Sequence, residues 1–502
     1  MTQEKTRTKE LARRTFVYTL MVVTMVSGLI FLMFNMLGYT FNSNTSQLQQ
    51  TGLVQYTSYP SGAMVSVDGM EFRRTQAKHA VLPGIHTFSM KLDDYEPWQK
   101  TLEIKSNTVT NIDYVRMIPV KRTASAVKTL DNIQAAYLSP AGNFVAGIGQ
   151  KDKTPVAVFG DIRDTNNEKF KEYALSTEVL AGYAWSADGH SFMVNEWDKD
   201  ARYLLVKHIY RGEDGAQDVQ WLRLDRENPE KIVDITAITG FDIKQAHFVG
   251  TSGNELYVLQ ESGELRHVNV DSSVISSPII TGITGVESFK LYGTDRLAYV
   301  AADSSKGKKI AGIWKKDWKK PFVIRTFTAD ESPIIRVSGY FNKDTVVLGA
   351  GKRLTIYRGD ISDSKEAQAK FLKTAKTLQL DGSIEDISLN NSGRFIVAQI
   401  GSSAQSYDLE RLTLSSKFQL GSGQKIKWLD DFHLLAAANS GKTAIQEYDG
   451  TNFHELLPAD KKMGMVLSSN QRYVYALAAD ASGKLVLSKM NMTNGSVGWF
   501  GF

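Results

Sequence analysis

The sequence predicts an all-β ectodomain, a small β-sandwich followed by a β-propeller of eight blades with seven as the alternative, behind one N-terminal transmembrane helix. Three observations predict it. From Thr15 to Val67 there is no Lys, Arg, Asp or Glu, and the first part of that stretch is apolar. From Leu53 to Val120 short runs alternate apolar and polar residues between tight turns. Beyond Lys121 a strand–turn–strand unit recurs, and no long helical pattern interrupts it.

Composition sets the outer bounds. A chain of 502 residues, 42% hydrophobic and 23% charged with 39 Gly and 11 Pro, is mostly folded and spans two to four domains. Its formal net charge of +5 is unevenly spread, because the first fourteen residues carry five basic and two acidic side chains. The remaining 488 residues therefore hold only +2. That argues against a nucleic-acid partner, which calls for a stronger basic excess. With no cysteine there is no disulfide framework, thiolate metal site or Cys nucleophile, so hydrophobic cores must hold the fold.

The element order starts with a basic cytoplasmic tip, residues 1–14, and a signal anchor, residues 15–39. The run Phe16 to Tyr39 is long and apolar enough to cross a bilayer, which takes about 20 residues. Arg13 and Arg14 abut its N-terminal end, so the positive-inside rule leaves the tip in the cytoplasm and sends the bulk of the chain outside. The run exceeds the apolar core of a cleaved signal peptide, and MLGYTFNSN offers no A-x-A site. Residues 40–52, polar and uncharged, read as a short flexible tether.

The sandwich is expected over residues 53–120. Pro60-Ser61-Gly62 breaks the chain, Val65 and Val67 alternate with polar neighbours, and Asp68-Gly69 makes a hairpin turn. The same alternation at Phe88, Met90 and Leu92, at Leu102 and Ile104, and at Ile112 and Tyr114 gives four or five strands. SYPSGAMVSVDG, then LPGIHTFSMKLDDYEPW and a closing VRMIPV, resemble a PEGA domain, a β-sandwich module of envelope and surface-layer proteins. The resemblance runs through Pro60, Gly62, Ala63, Val65, Val67, Asp68, Gly69, Leu82-Pro83-Gly84, His86, Tyr95 and Trp98. Where the family places Gly-x-Thr-Pro, FRRTQ keeps only Thr75, and Asp94 replaces the usual Gly before Tyr95. The resemblance implies a structural or contact module rather than chemistry.

The propeller is expected over residues 121–502. Units begin near Ala135, Ala181, Gln245, Glu287, Arg336, Ile384, Lys425 and Gly464, each a strand, a turn rich in Ser, Asn, Asp and Gly, and a second apolar strand. Such a unit cannot bury both faces alone and must stack around an axis. The turns resemble the S-x-D-G-x-x-[IVL] hairpins of WD-repeat-like propellers in bacterial envelope proteins, clearest at Ser186-Ala187-Asp188-Gly189. No unit carries the full Gly-His and Trp-Asp pair.

Searches for chemistry return little. AAANSGKT, Ala436 to Thr443, fits a loose phosphate-loop pattern, but a strand follows it where a helix must stand, so no nucleotide is expected. Gly-x-Ser-x-Gly is absent, and the eight histidines show no ligand spacing. RGEDGAQD, Arg211 to Asp218, lacks the alternating ligands of a calcium loop. No metal or cofactor is implied.

The most specific surface signal is GIWKKDWKKPF, where Trp314 and Trp318 alternate with Lys315, Lys316, Lys319 and Lys320, preceded by the basic loop Ser304 to Lys309. As a ligand-contact patch it suits a sugar ring or an anionic polymer. As plain packing, the rings fill gaps between blades and the lysines keep an edge soluble. The resulting expectation is a non-catalytic, membrane-anchored binding or scaffold protein of the bacterial cell envelope, meeting an envelope protein or cell-wall glycan. The alternative is an envelope hydrolase acting on glycan or peptide in the propeller funnel. Three or more ionisable side chains converging there favour the enzyme, and unrelated turn residues favour binding. A sensor would need an output domain larger than a fourteen-residue tip.

Overall fold

The computed structural model describes residues 2–36, 38–42, 47–183, 188–303, 307–361 and 371–493. These fall into two compact units that divide between Lys121 and Arg122.

In the first unit, helix α1 (Thr2–Met36) takes in the basic tip, and its segment Arg13–Phe34 is long and apolar enough to cross a membrane. Strands β1 (Tyr39–Asn42) and β2 (Gln47–Gln50) pair antiparallel where a tether was expected. The Thr51 amide and hydroxyl both bond the Gly38 carbonyl, at 2.7 Å each, which closes that hairpin onto the next strand. The sandwich then comprises β3 (Gly52–Tyr59), β4 (Met64–Val67), β5 (Met70–Arg74), β6 (Ala77–Val81), β7 (Gly84–Lys91), β8 (Trp98–Ile104) and β9 (Val109–Arg116). Its two sheets are ordered β6-β3-β9 and β5-β4-β7-β8, with β3 and β9 parallel.

There are seven strands rather than four or five because β5 and β6 are edge strands with mostly solvent-facing side chains. Such strands lose the alternation that marks a half-buried one. Val54, Tyr56, Val65, Phe88, Met90, Ile104 and Ile112 fill the core. Each aliphatic side chain so buried contributes roughly 1.5–3 kcal/mol. Thr75 keeps a job despite the lost glycine and proline around it. Its buried hydroxyl accepts the Gly62 and Ala63 amides at 2.9 and 3.1 Å and so fixes the first hairpin.

The second unit contains eight antiparallel sheets among the described residues, which is the eight-bladed alternative. The innermost strands of blades 1 to 6 are Ile133–Leu138, Ser191–Trp197, Ile243–Phe248, Val286–Tyr292, Ile334–Tyr340 and Asp386–Leu389, and blade 8 has Met465–Leu467. In blade 7 this position shrinks to a single bridge, Trp428 to Leu434. The ring is closed by the chain's own start. Strand Ala124–Leu130 is the outer strand of blade 8, paired with Leu485–Asn491. Leu130, Ile133, Val158, Tyr475 and Leu487 share one core across the blade 8 to blade 1 seam.

One hairpin design joins the first two strands in four blades. At Ser139, Asp198, Asn390 and Ser468 the residue's amide bonds the carbonyl five positions on, and its side-chain oxygen accepts that later residue's amide. The third residue after each is Gly142, Ala201, Gly393 or Gln471, and all four sit at φ between 53° and 72°. Gly142 has a second reason to be glycine, since a Cβ there would lie 1.8 Å from the Leu467 carbonyl oxygen.

This geometry corrects the register expected for the second unit. The equivalent hairpin is built on Asp198, so SFMVNEW is the first strand of blade 2 rather than the second. Ser186 and Ala187 lie outside the described residues. Around AAANSGKT, strand His433–Ala437 leads through a hairpin closed by Ala438 and Lys442 into strand Thr443–Glu447. There is no helix N-terminus there to face a phosphate.

Candidate functional site

Two positions before the first hairpin, the first strand of each blade carries one residue at an equivalent place, which in blade 5 is the buried Ser338. In blades 1 to 4 these are Tyr137, Glu196, His247 and Lys290, and in blades 6 to 8 Ser388, Lys427 and Val466. Arg336 and Asp386 stand four positions before theirs in blades 5 and 6, roughly 7 Å along the axis from that level.

β-Bulges set which residues reach this level. In blades 2, 3 and 4 the innermost strand shifts register at Val194/Glu196, Ile243/Gln245 and Val286/Ser288. A one-residue shift reverses the facing of everything after it. Trp197, Phe248 and Phe289 therefore go to the core, and Glu196, His247 and Lys290 go to the channel.

Two of the charged groups are held in pairs. Glu196 receives His247 Nδ1 at 2.6 Å on one oxygen and the Phe248 amide at 2.7 Å on the other. His247 Nε2 lies 2.6 Å from the Gln245 amide nitrogen, so both ring nitrogens have a partner. Arg336 donates to the Asp386 carboxylate at 2.6 Å and to the Ile387 carbonyl at 2.9 Å. Burial pulls the Arg336 guanidinium below its usual range, with Asp386 opposing that shift.

Lys290 is different. Among the described residues its ammonium has no hydrogen bond or contact ion pair, and its side chain is exposed. The protein walls around it, then the Arg336 charge, hold its pKa below the ordinary lysine value, while Asp386 and Glu196 pull the other way. Lys427 is lowered by burial as well, but it donates to the Lys462 carbonyl at 2.6 Å.

A cleft of about 530 Å³ opens beside Lys290, lined by Glu196, His247, Phe248, Gly250, Leu291 and Thr294 among others. On the other side of Lys290 lies a smaller cavity of about 130 Å³ that reaches Arg336 and Asp386. Five ionisable side chains from blades 2 to 6 thus line two adjoining cavities that share Lys290.

The tryptophan–lysine hairpin is built differently from the expected patch. Trp314 and Trp318 are 6% and 5% exposed and belong to the core between blades 3 and 5. Trp314 meets Tyr257 edge-on at 6.1 Å, and Trp318 leans on Phe371 at 5.5 Å. Neither ring has a free face for a sugar. The hairpin turns at Asp317, which has φ 73°; Lys316, Lys319 and Lys320 are exposed and Lys315 is half-buried. The other basic loop cannot join them, because Lys308 and Lys315 stand at opposite ends of one eight-residue strand, about 23 Å apart. Ser304, Ser305 and Lys306 lie outside the described residues.

Histidines that look scattered in sequence also meet. His190 Nδ1 and His208 Nε2 are 2.8 Å apart in blade 2, and His208 Nδ1 contacts Gln220 Oε1 at 2.9 Å. Phe192, His208, His190 and Tyr183 stack in series. Burial, opposed by the Gln220 bond and reinforced by His190, pushes His208 down to about 4. In the sandwich, His86 bonds Asp68 at 2.6 Å and His79 stacks on Phe72. No group of three or more His, Asp or Glu arranged to hold a metal occurs among the described residues.

Residues 51–117 match the PEGA domain family. This segment is a PEGA domain. It spans the two-sheet sandwich from the first residue before β3 to the end of β9, so the match and the fold coincide. No curated protein matches the chain.

Among solved structures, the chain is similar to the C-terminal WD40 domain of Sif2, at 13% identity over 74% of this chain and 99% of that one, with a TM-score of 0.46. It is also similar to Saccharomyces cerevisiae Sqt1, at 13% identity over 72% and 97% with a TM-score of 0.43. An oligogalacturonate lyase in complex with manganese matches at 12% identity over 74% and 98%, with a TM-score of 0.40. The propeller that follows the PEGA domain rests on its own eight sheets and its closing strand.

Proposed function

We propose that α1 anchors the chain in a cell membrane with its N-terminus in the cytoplasm, and that the PEGA domain and propeller act outside as a binding or scaffold module of the envelope. The observation that carries this reading is the order of parts. An apolar helix with Arg13 and Arg14 at its start leads into a PEGA domain and then a propeller with an open cleft that Glu196, His247 and Lys290 help to line. Propellers present loops and a central opening to partners, and an envelope protein or cell-wall glycan is the natural occupant.

The convergence of Glu196, His247, Lys290, Arg336 and Asp386 favours the second reading, an envelope hydrolase. A general base, however, needs a lone pair aimed at substrate. Both His247 ring nitrogens have partners, and each Glu196 oxygen accepts one hydrogen bond while keeping a second lone pair. The binding reading therefore stands on the order of parts, and turnover decides between the two. Crosslinking and pull-down from native membranes test the scaffold, with a defined envelope assembly or wall polymer as the expected catch. Turnover of envelope glycan or peptide by the purified chain, abolished by Glu196→Gln, would replace this reading with the enzyme.

A further inference from the structure

We propose that the cleft between blades 2, 3 and 4 binds a single carboxylate carried on a compact polar body the size of an acidic monosaccharide, with Lys290 as its counter-charge. This rests on the binding reading of the channel and names the ligand class for it.

The first argument is a charge balance. Around the channel, Glu196 is matched by the donors of His247 and Phe248, and Asp386 by Arg336. Lys290 and Lys427 are the two lysines on the level of Glu196. Lys427 is tied to the Lys462 carbonyl, on the far side of the ring from blade 3. Lys290 has no hydrogen bond or contact ion pair among the described residues, and Lys199 lines the same cleft as a second cation.

The second argument is space. The cleft beside Lys290, about 530 Å³, lies within the range of small-ligand sites, which runs from roughly 300 to 1,000 Å³. Its wall combines Thr294, the turn glycines Gly250 and Gly293, and the apolar edge of Phe248 and Leu291. A hydroxyl, backbone at close approach and an apolar strip suit a ring bearing hydroxyl groups. A bare inorganic anion would leave most of that space to water.

The third argument concerns cost. Lys290 is exposed, but the protein walls beside it lower its pKa, and a carboxylate beside such walls gains more than it would at an open surface. Glu196 lines the same cleft and opposes a second negative charge there.

The test titrates the detergent-solubilised full-length chain with glucuronate, acetate and glucose by calorimetry. Glucuronate should bind, acetate should bind more weakly, and glucose should show no saturation. Lys290→Gln should weaken glucuronate at least about tenfold, the scale of a lost charge-assisted hydrogen bond. Lys290→Arg should restore most of it, and Lys319→Gln should leave it unchanged. Because Lys290 makes no internal hydrogen bond, Lys290→Gln should melt like the parent chain, and melting curves check this.

Equal binding of glucose and glucuronate, equal binding by Lys290→Gln, or no binding of any probe would each overturn the proposal. Membrane pull-downs with Lys290→Gln separate it from the scaffold reading. Partners kept while glucuronate is lost supports a carboxylate site within a scaffold. Partners lost from the parent chain itself defeats the scaffold and leaves the titration standing on its own.

Discussion

The channel wall of blades 2 to 6 and the tryptophan–lysine hairpin of blade 4 are opposites. The hairpin concentrates two tryptophans and four lysines in seven consecutive residues, and both its rings are buried. The channel set is spread over 191 residues, one from each of five blades, and its side chains line two adjoining cavities that share Lys290. In a propeller, neighbours in sequence share a blade edge, whereas neighbours around the axis are a whole unit apart. A dense local motif therefore reports on packing, and a sparse periodic one reports on the site.

The largest effects should come from the hairpin's rings. Trp314→Ala or Trp318→Ala should cost about 3–5 kcal/mol in urea unfolding, the range for emptying a buried aromatic site. Retention on cell-wall polymer should fall only as far as unfolding explains. Near-native stability with lost retention would restore the stacking patch and break the contrast.

A second prediction uses blade 2, where the histidine ladder lies off the channel. His208 titrates at about 4 when folded against 6.5 as the ordinary value, so between these the unfolded chain binds more protons and stability rises with pH. The contribution is full above pH 6.5 and is lost as pH falls toward 4, by roughly 3 kcal/mol at most. Melting at pH 7 and pH 5 checks it. His208→Phe should flatten that dependence, and an unchanged slope would place the acid sensitivity elsewhere.

Within the channel, Arg336→Met should cost about 1–3 kcal/mol, because Asp386 loses its partner. Carboxylate binding at Lys290 should change far less than stability does. A larger loss of binding than of stability would make Arg336 the ligand's contact instead. The smallest effect is expected from reversing Lys315, Lys316, Lys319 and Lys320 to Glu. Stability should move by less than about 1 kcal/mol, as for exposed charges, and any weakening of polymer retention should vanish in high salt. Unchanged retention at low salt would remove these lysines from consideration.

Much of the architecture is legible because turns recur. Ser139, Asn390 and Ser468 each stand at a visible Ser/Asn turn between two apolar runs, and these fix the blade rhythm. In blade 2 the eye prefers Ser186-Ala187-Asp188-Gly189, although the structural equivalent uses Asp198 with Ala201 at positive φ. An alanine in that conformation gives no sequence signal. β5 and β6 are hidden because edge strands carry too little apolar periodicity.

The channel set was missed for a related reason. Glu196, His247, Lys290, Arg336 and Asp386 recur 43 to 51 residues apart, in the first strand of five successive units. That periodicity was available. What it could not reveal is the bulge that turns Glu196 outward and Trp197 inward, since a bulge is a property of pairing and not of composition. The meeting of His190 and His208 likewise depends on the register of Phe192 opposite His208.

The most direct test of the central claim is site-specific photocrosslinking in native membranes, with a benzophenone side chain at Thr294 in the channel cleft or at Lys319 on the hairpin. The account predicts adducts with an envelope partner or wall glycan from Thr294 and none above background from Lys319. Adducts from Lys319 alone would contradict it.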